Sequence, residues 1–302
     1  MQREADMNIH LARARGFCMG VERSIGMAEA ARKNLNGEIT ILNEIVHNNS
    51  VVQNLENKGI GRTNDLDLVG SGTLVISAHG VAPRVIARAR EKGLNVIDST
   101  CPLVTVIHKS ADYFIKRGYT VIIFGDENHD EMKGVKGHDP ERIIVLNKID
   151  SLDDLPDLEG KVAFISQSTQ SMERFERAAK LVQKKYNEVR IKNTICDATR
   201  ERQASILELA PKMDLMIVVG SHTSANSMRL AQISQQAGTP TYLIDNSTEV
   251  KHSWLTDVED LGMTAGASTP DWVVLEVVET IKKLAQSDGM PAVKVHDEKH
   301  EK

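Results

Sequence analysis

Two runs in this 302-residue chain, Val121–Phe124 and Leu215–Val219, hold only apolar side chains and stop at Gly125 and Gly220. A strand that is apolar at every position is buried on both faces, the condition of a strand in a parallel sheet covered by helices. The same grammar recurs along the chain: a short apolar run, a polar turn, then a helix-period stretch. Strands are expected at Ile9–Ala14, Ile39–Val46, Thr73–Ser77, Asn95–Asp98, Ile143–Leu146, Val162–Ser166, Val189–Ile195, Tyr242–Ile244 and Met263–Ser268. Helices are expected at Val21–Lys33, Val51–Asn57, Leu103–Arg117 and Met172–Tyr186, and after Pro83, Cys196, Ser227 and Pro270. Pro83, Pro102 and Pro270 each suit a first helical turn, where no N–H is needed. Gly59–Asp67 and the acidic Asp150–Glu159 read as loops, and Trp272, Leu275, Val278 and Ile281 are expected to share one face of the last helix. The fold class is α/β, as three α/β units at 8–100, 101–195 and 196–286. The N-terminal strand and C-terminal segments are free to cross those boundaries, and 287–302 reads as a polar, loose tail.

Aromatic residues make up only 4% of the chain, so the core must rest on Val, Ile, Leu, Ala and Met. With 37 basic and 42 acidic residues, no nucleic-acid surface is indicated, although a local pocket for a small anion remains open. No run of about 20 apolar residues suggests a membrane span, and the first residues are neither a secretory signal nor a clear transit peptide. Three cysteines cannot all pair with one another, and a reducing, cytoplasmic setting is the simpler expectation. No Walker loop or dinucleotide fingerprint is present.

Chemistry collects at the strand-to-helix turns, as expected of an α/β protein. Cys18, Cys101 and Cys196 each occupy one, in Gly16-Phe17-Cys18-Met19-Gly20, Ser99-Thr100-Cys101-Pro102 and Ile195-Cys196-Asp197. A single cysteine is as often a small core residue, but three in the same local setting point to convergence on one metal centre. Zinc would want a fourth ligand such as histidine, whereas a 4Fe-4S cluster would take three thiolates and leave one iron open. Spacing does not separate the two. His47, His79 and His129 lie just past strand ends and offer N–H donors to an anion, and Glu131 follows His129 closely. In a dry pocket the pKa of Glu131 should rise, which suits a proton donor; Asp130 competes for that role or faces water. Gln167-Ser168-Thr169, Ser224-Ala225-Asn226 and Ser268-Thr269 sit at helix starts. Capping is their bland reading, and it is compatible with gathering N–H and hydroxyl donors around an anion.

Several segments together resemble one family. They are Arg15-Gly16-Phe17-Cys18, Asn43-Glu44-Ile45-Val46-His47-Asn48, Ser77-Ala78-His79-Gly80-Val81, Thr100-Cys101-Pro102-Leu103-Val104, Cys196-Asp197-Ala198-Thr199 with Arg202-Gln203, Gly220-Ser221 with Ser224 to Leu230, and Thr264-Ala265-Gly266-Ala267-Ser268. The sequence resembles the LytB family of 4-hydroxy-3-methylbut-2-enyl diphosphate reductases. The resemblance implies three α/β units in pseudo-threefold arrangement around a central 4Fe-4S cluster, held by Cys18, Cys101 and Cys196 with one open iron for the substrate. It implies that His47, His79, His129, Ser224, Ala225, Asn226 and Ser268 hold the diphosphate and alcohol. It further implies that Gln167, Ser168 and Thr169 touch the substrate hydroxyl region and that Glu131 donates the proton, with His129, Ser168 and Thr169 sharing the catalytic site. A ferredoxin or flavodoxin would be the electron donor, and the protein would be a monomer or weak homodimer without nucleic-acid or membrane partners.

The chain departs from the family pattern in three places. His129-Asp130-Glu131 stands for the common His-Pro-Glu, Ser224-Ala225-Asn226 for Ser-Ser-Asn, and Ser168 for the first threonine of Gln-Thr-Thr. The rival classes are a zinc hydrolase acting on a phosphorylated metabolite, an iron-sulfur sensor without catalysis, and a generic metabolite-binding α/β protein.

Overall fold

The computed structural model describes residues 6–287 and 292–297. Its strands fall into three all-parallel sheets, and the runs that are apolar throughout lie at their centres. Contacts divide the chain into two compact units. One comprises Met19–Val46 and Val52–Cys196, and the other Met1–Cys18, His47–Val51 and Asp197–Lys302.

The first of these units holds two four-stranded sheets. One contains β2 (Ile39–Leu42), β3 (Gly61–Thr63), β4 (Thr73–Ile76) and β5 (Asn95–Asp98) in the order β3-β2-β4-β5. The other contains β6 (Tyr119–Phe124), β7 (Ile143–Leu146), β8 (Lys161–Ser166) and β9 (Glu188–Ile191) in the order β7-β6-β8-β9. Successive side chains of β6 serve opposite faces, as the two-residue period of a strand requires. Val121 and Ile123 pack with Ile107, Ala111 and Phe114 of α4 (Pro102–Ile115) and with Met132 and Val135 of α5 (Asp130–Lys136). Ile122 and Phe124 pack with Phe175, Ala178 and Val182 of α6 (Met172–Lys185). That double coverage is why the run is apolar without alternation.

The second unit holds β1 (Met7–Leu11), β10 (Leu215–Val219), β11 (Thr241–Ile244), β12 (Asp260–Ala265) and β13 (Val293–Asp297) in the order β11-β10-β12-β1-β13. Leu215, Ile217 and Val219 face a cluster that includes Val274, Val277 and Ile281 of α9 (Asp271–Ser287). Met216 and Val218 face Ile206 and Leu209 of α7 (Asp197–Leu209) and Leu230 of α8 (Ala225–Gln236).

The two four-stranded sheets share one strand order, second-first-third-fourth when each is numbered within its own sheet. In the five-stranded sheet β11-β10-β12 repeats the first three places, β1 stands in the fourth, and β13 lies at the edge. Thus β1, first in sequence, pairs with β12 and β13 and not with the strands that follow it. Within the span read as a polar tail, Val293–Asp297 is strand β13; 288–291 and 298–302 lie outside the described residues. Gly59–Asp67, read as loop, contains β3. The expected strand Ile39–Val46 stops at Leu42, because Asn43 takes a left-handed backbone with φ 63° that no strand continues through. On α9, Val278 and Ile281 are buried, while Trp272 and Leu275 are exposed, so the four do not share one buried face.

Candidate active site

In the order second-first-third-fourth, the chain reverses its direction of winding between the first and third strands. The carboxyl ends of that strand pair are where open α/β sheets bind ligands. The pairs here are β2 with β4, β6 with β8, and β10 with β12. The turns that follow them carry His47 and His79, His129 with Glu131 and Gln167-Ser168-Thr169, and Ser224-Ala225-Asn226 and Ser268. The cysteines occupy a different position. Each follows the fourth strand of a sheet: Cys101 after β5, Cys196 after β9, and Cys18 after β1.

Glu131 lies in the first turn of α5 and is 2% exposed. One carboxyl oxygen accepts the Ser168 backbone N–H at 2.8 Å, and the other meets the Ser168 hydroxyl at 2.6 Å. Burial raises the Glu131 pKa above the ordinary carboxylate value, while the two Ser168 contacts pull it down. When Glu131 is protonated, its O–H donates to the Ser168 oxygen, and the Ser168 hydroxyl proton is then released to point elsewhere. His129 caps α5, with Nδ1 accepting the Glu131 N–H at 3.1 Å, so its ring proton is on Nε2. The adjacent Asp130 pairs with Lys133 at 3.5 Å at the helix edge. Gln167 accepts the Asp126 N–H at 2.9 Å, and its buried amide nitrogen has no hydrogen-bond partner among the described residues. Ser168 also joins the cysteine turn behind it, because its carbonyl accepts the Cys196 N–H at 3.0 Å.

In the same unit, the His79 ring meets the His129 ring edge-on, with centroids 5.3 Å apart. Cys101 stands before the Pro102 that opens α4, and its N–H donates to Ala78 O at 3.0 Å. The cysteine turn and the His79 turn are therefore one hydrogen-bonded structure. Gly20, at the start of α1 (Met19–Asn34), closes over Cys101: a Cβ there would collide with the thiol. Gly20→Ala is expected to cost about 1–3 kcal/mol through this overpacking and to change the alkylation rate of Cys101. A thermal midpoint and an alkylation rate both equal to wild type would show that the contact constrains nothing.

In the other unit, Ser224 caps α8 by accepting the Ser227 N–H at 3.4 Å. Asn226 is 5% exposed, and its Nδ2 has no hydrogen-bond partner among the described residues. The Ser268 hydroxyl donates to the His47 carbonyl at 3.2 Å, which ties the His47 turn to the end of β12. The Cys18 N–H donates to Ala267 O at 3.1 Å, and the buried Arg202 guanidinium donates to Gly16 O at 2.6 Å.

The expectation that three thiolates gather as the ligand set of a 4Fe-4S cluster is corrected here. Among the described residues, the group of metal-capable side chains whose ligand atoms all lie within 4.8 Å of one another is His47, His79 and His129, not Cys18, Cys101 and Cys196. The sheet order supplies a reason. β2 and β4 are hydrogen-bonded neighbours, so the turns bearing His47 and His79 begin about one strand spacing apart. Cys18, Cys101 and Cys196, by contrast, follow strands of three different sheets.

Residues 9–282 match the LytB protein family. The chain belongs to the LytB family. It is 38% identical over 282 residues to the 4-hydroxy-3-methylbut-2-enyl diphosphate reductase of Trichlorobacter lovleyi, covering 93% of this chain and 100% of that one. Against the enzyme of the same name from Geobacter sulfurreducens, identity is 40% over 282 residues, with 92% and 98% covered. The solved E-1-hydroxy-2-methyl-but-2-enyl-4-diphosphate reductase of Plasmodium falciparum superposes with a TM-score of 0.89 at 30% identity, over 98% of this chain and 94% of that one. A further solved structure is described as (E)-4-hydroxy-3-methyl-but-2-enyl diphosphate reductase, the terminal enzyme of the non-mevalonate pathway. It matches with a TM-score of 0.66 at 34% identity, over 92% and 99%.

Two departures of this LytB-family chain fall at helix starts, which tolerate them. Asp130 is the first residue of α5, where a proline also fits, and its carboxylate complements the positive end of the helix. Ala225 is the first residue of α8, where the backbone N–H is presented whatever the side chain. The LytB pattern does not single out the amide role of Gln167, which fastens the Gly125-Asp126 turn from the next strand. Its only signal in the sequence is an amide placed directly after a buried strand.

Proposed function

We infer that this chain reduces 4-hydroxy-3-methylbut-2-enyl diphosphate to isopentenyl diphosphate and dimethylallyl diphosphate, the terminal step of the non-mevalonate route to isoprenoids. The observation that carries this reading is the near end-to-end match, at 38–40% identity, to reductases of that name. The reaction consumes two electrons and two protons. The C–O bonding pair leaves with the hydroxyl oxygen, which takes one proton and departs as water. The two electrons convert the remaining fragment to an allyl anion, and a second proton at either terminus gives one product or the other.

In this reading Glu131 supplies the first proton through the Ser168 hydroxyl, with Thr169 beside it. The buried carboxyl bonded to Ser168 supports that assignment, because burial raises its pKa and so widens the pH range over which the proton is held for donation. His47, His79 and His129 hold the diphosphate together with Ser224, Asn226, Ser268 and the Ala225 backbone N–H. Gln167 and Ser168 face the alcohol end. The partnerless amide nitrogens of Gln167 and Asn226 support donor roles, since a buried donor left unpaired costs about 1–3 kcal/mol. Helix-start N–H groups and imidazole N–H donors suit a diphosphate without a lysine cluster. The bound diphosphate is itself an acid near the allyl fragment and supplies the second proton. A ferredoxin or flavodoxin supplies the electrons. Among the described residues, no helix is long and apolar enough to cross a membrane.

The test is anaerobic turnover of the diphosphate with a low-potential chemical reductant, following both five-carbon products. Their appearance establishes the reaction, and a reductant-independent loss of substrate with neither product overturns it. Ser168→Ala is expected to lower kcat at least about tenfold, in the range of a lost proton relay. It should also move the alkaline limb of the pH profile upward, because the Ser168 hydroxyl lowers the Glu131 pKa. An unmoved limb would remove Ser168 from the relay.

A further inference from the structure

His108 is used by nothing described so far, yet it sits where the functional elements of its unit meet. It lies on α4, the helix that starts at Cys101. Its Nδ1 is 2.9 Å from His138 Nε2, and His138 follows directly on Gly137 at the end of α5. On its other side the ring fills the space left by two glycines. A Cβ on Gly80 would meet His108 Nε2 at 3.1 Å, and a Cβ on Gly134 would meet His108 Cε1 at 3.4 Å. Gly80 follows His79, and its φ of 72° is a left-handed conformation suited to glycine. Gly134 lies three residues after Glu131, on the same face of α5. The same Gly134 Cβ would meet the Val81 backbone at 3.3 Å, so α5 packs directly on the segment that follows the His79 turn.

We propose that His108, fixed by its hydrogen bond to His138, is a positioning residue that sets the His79 turn and the Glu131 helix against each other. Three elements meet at one imidazole: the Cys101 helix supplies it, the His79-Gly80 turn packs on Nε2, and the Glu131 helix packs on Cε1 and holds it through His138. The partly buried ring stays uncharged near neutrality, because desolvation, then His138, lower its pKa to about 4 against the opposing pull of Asp98. His138 is likewise lowered, by burial first, with Asp112 and Lys116 acting in opposite directions. A neutral pair shares one proton in the Nδ1–Nε2 bond, so the wedge holds its place without a counter-ion. Among the described residues His108 Nε2 has no hydrogen-bond partner, so packing rather than bonding fixes that end. A misplacement of about 1 Å at a proton donor is enough to cost up to 10²-fold in rate.

This inference rests on the proposed roles of His79 and Glu131, and the test separates it from them. His138→Leu removes the bond and leaves His108 in place, while His138→Gln keeps a side-chain bond to Nδ1. Expected is a kcat about tenfold lower for His138→Leu and within about threefold of wild type for His138→Gln. In the Glu131→Gln background the His138→Leu effect should shrink below about twofold, because residues that act through one another are non-additive. An equal drop in both backgrounds, or no drop in either, overturns the proposal. A wild-type protein without turnover would count against the reaction and not the wedge. The imidazole NMR resonances of His79 then decide: they should shift in His138→Leu and stay in His138→Gln, and unshifted resonances in His138→Leu overturn it.

Discussion

Glu131→Gln is expected to lower turnover by about 10²–10³-fold, the scale of a lost general acid, while leaving the fold intact. The hydrogen bonds explain the second half of that result. Glutamine keeps a carbonyl oxygen to accept the Ser168 N–H, and its amide group donates to the Ser168 oxygen, so both contacts survive. What is lost is the transferable proton. Because burial raises the Glu131 pKa, the wild-type rate should fall as pH rises through that raised value, when the acid form disappears. In Glu131→Gln the residual rate should lose that alkaline limb. Turnover in Glu131→Gln equal to wild type, with the limb intact, would remove Glu131 from the chemistry. Substrate KM should change little, since the donor acts in the transition state.

The fold was largely legible, because a parallel strand covered on both faces has to be apolar throughout, as in Val121–Phe124 and Leu215–Val219. What stayed hidden was pairing. Nothing local in Met7–Leu11 says that it takes the fourth place in the sheet of β10 and β12, since any sheet would accept its alternately buried pattern. Val293–Asp297 was hidden for a related reason. Val293 packs on the core, while Lys294, Val295, His296 and Asp297 are at least partly exposed, so composition reads as a tail and only the alternation marks an edge strand. The strand end at Leu42 depended on a left-handed Asn43, a backbone state that an apolar run does not disclose.

The site was legible in part, because catalytic side chains follow strand ends and the strand ends could be read. Ranking those ends needed the sheet order. Histidines, acid and amides follow the strand pairs where winding reverses, and cysteines follow the fourth strands. Sequence alone treats all these turns alike, which is how three cysteine turns came to be read as one ligand set. His108 was not readable at all. It is flanked on α4 by the core residues Val104, Ile107 and Ala111, and its partners Gly80, Gly134 and His138 come from two other elements.

The same partly buried pair gives the largest stability effect expected. A histidine held near 4 while its unfolded value is 6.5 binds its proton later in the native state than in the unfolded one. Its contribution is therefore complete above pH 6.5, declines as pH falls, and is gone below about 4. For a ring that keeps some exposure the loss comes to about 2–3 kcal/mol, or about 5 °C in thermal midpoint. Carboxylates with lowered pKa, such as Asp260 beside His10, lose their contribution only below their ordinary range and leave this window clear. Glu131 works in the opposite direction, because its raised native pKa lets the folded state take up a proton first as pH falls. The comparison is therefore cleanest in the Glu131→Gln background. There, adding His108→Gln should flatten the decline in midpoint between pH 6.5 and 4 by at least half. Parallel declines with and without His108 would mean that the pair is solvated and does not form the dry wedge between Gly80 and Gly134.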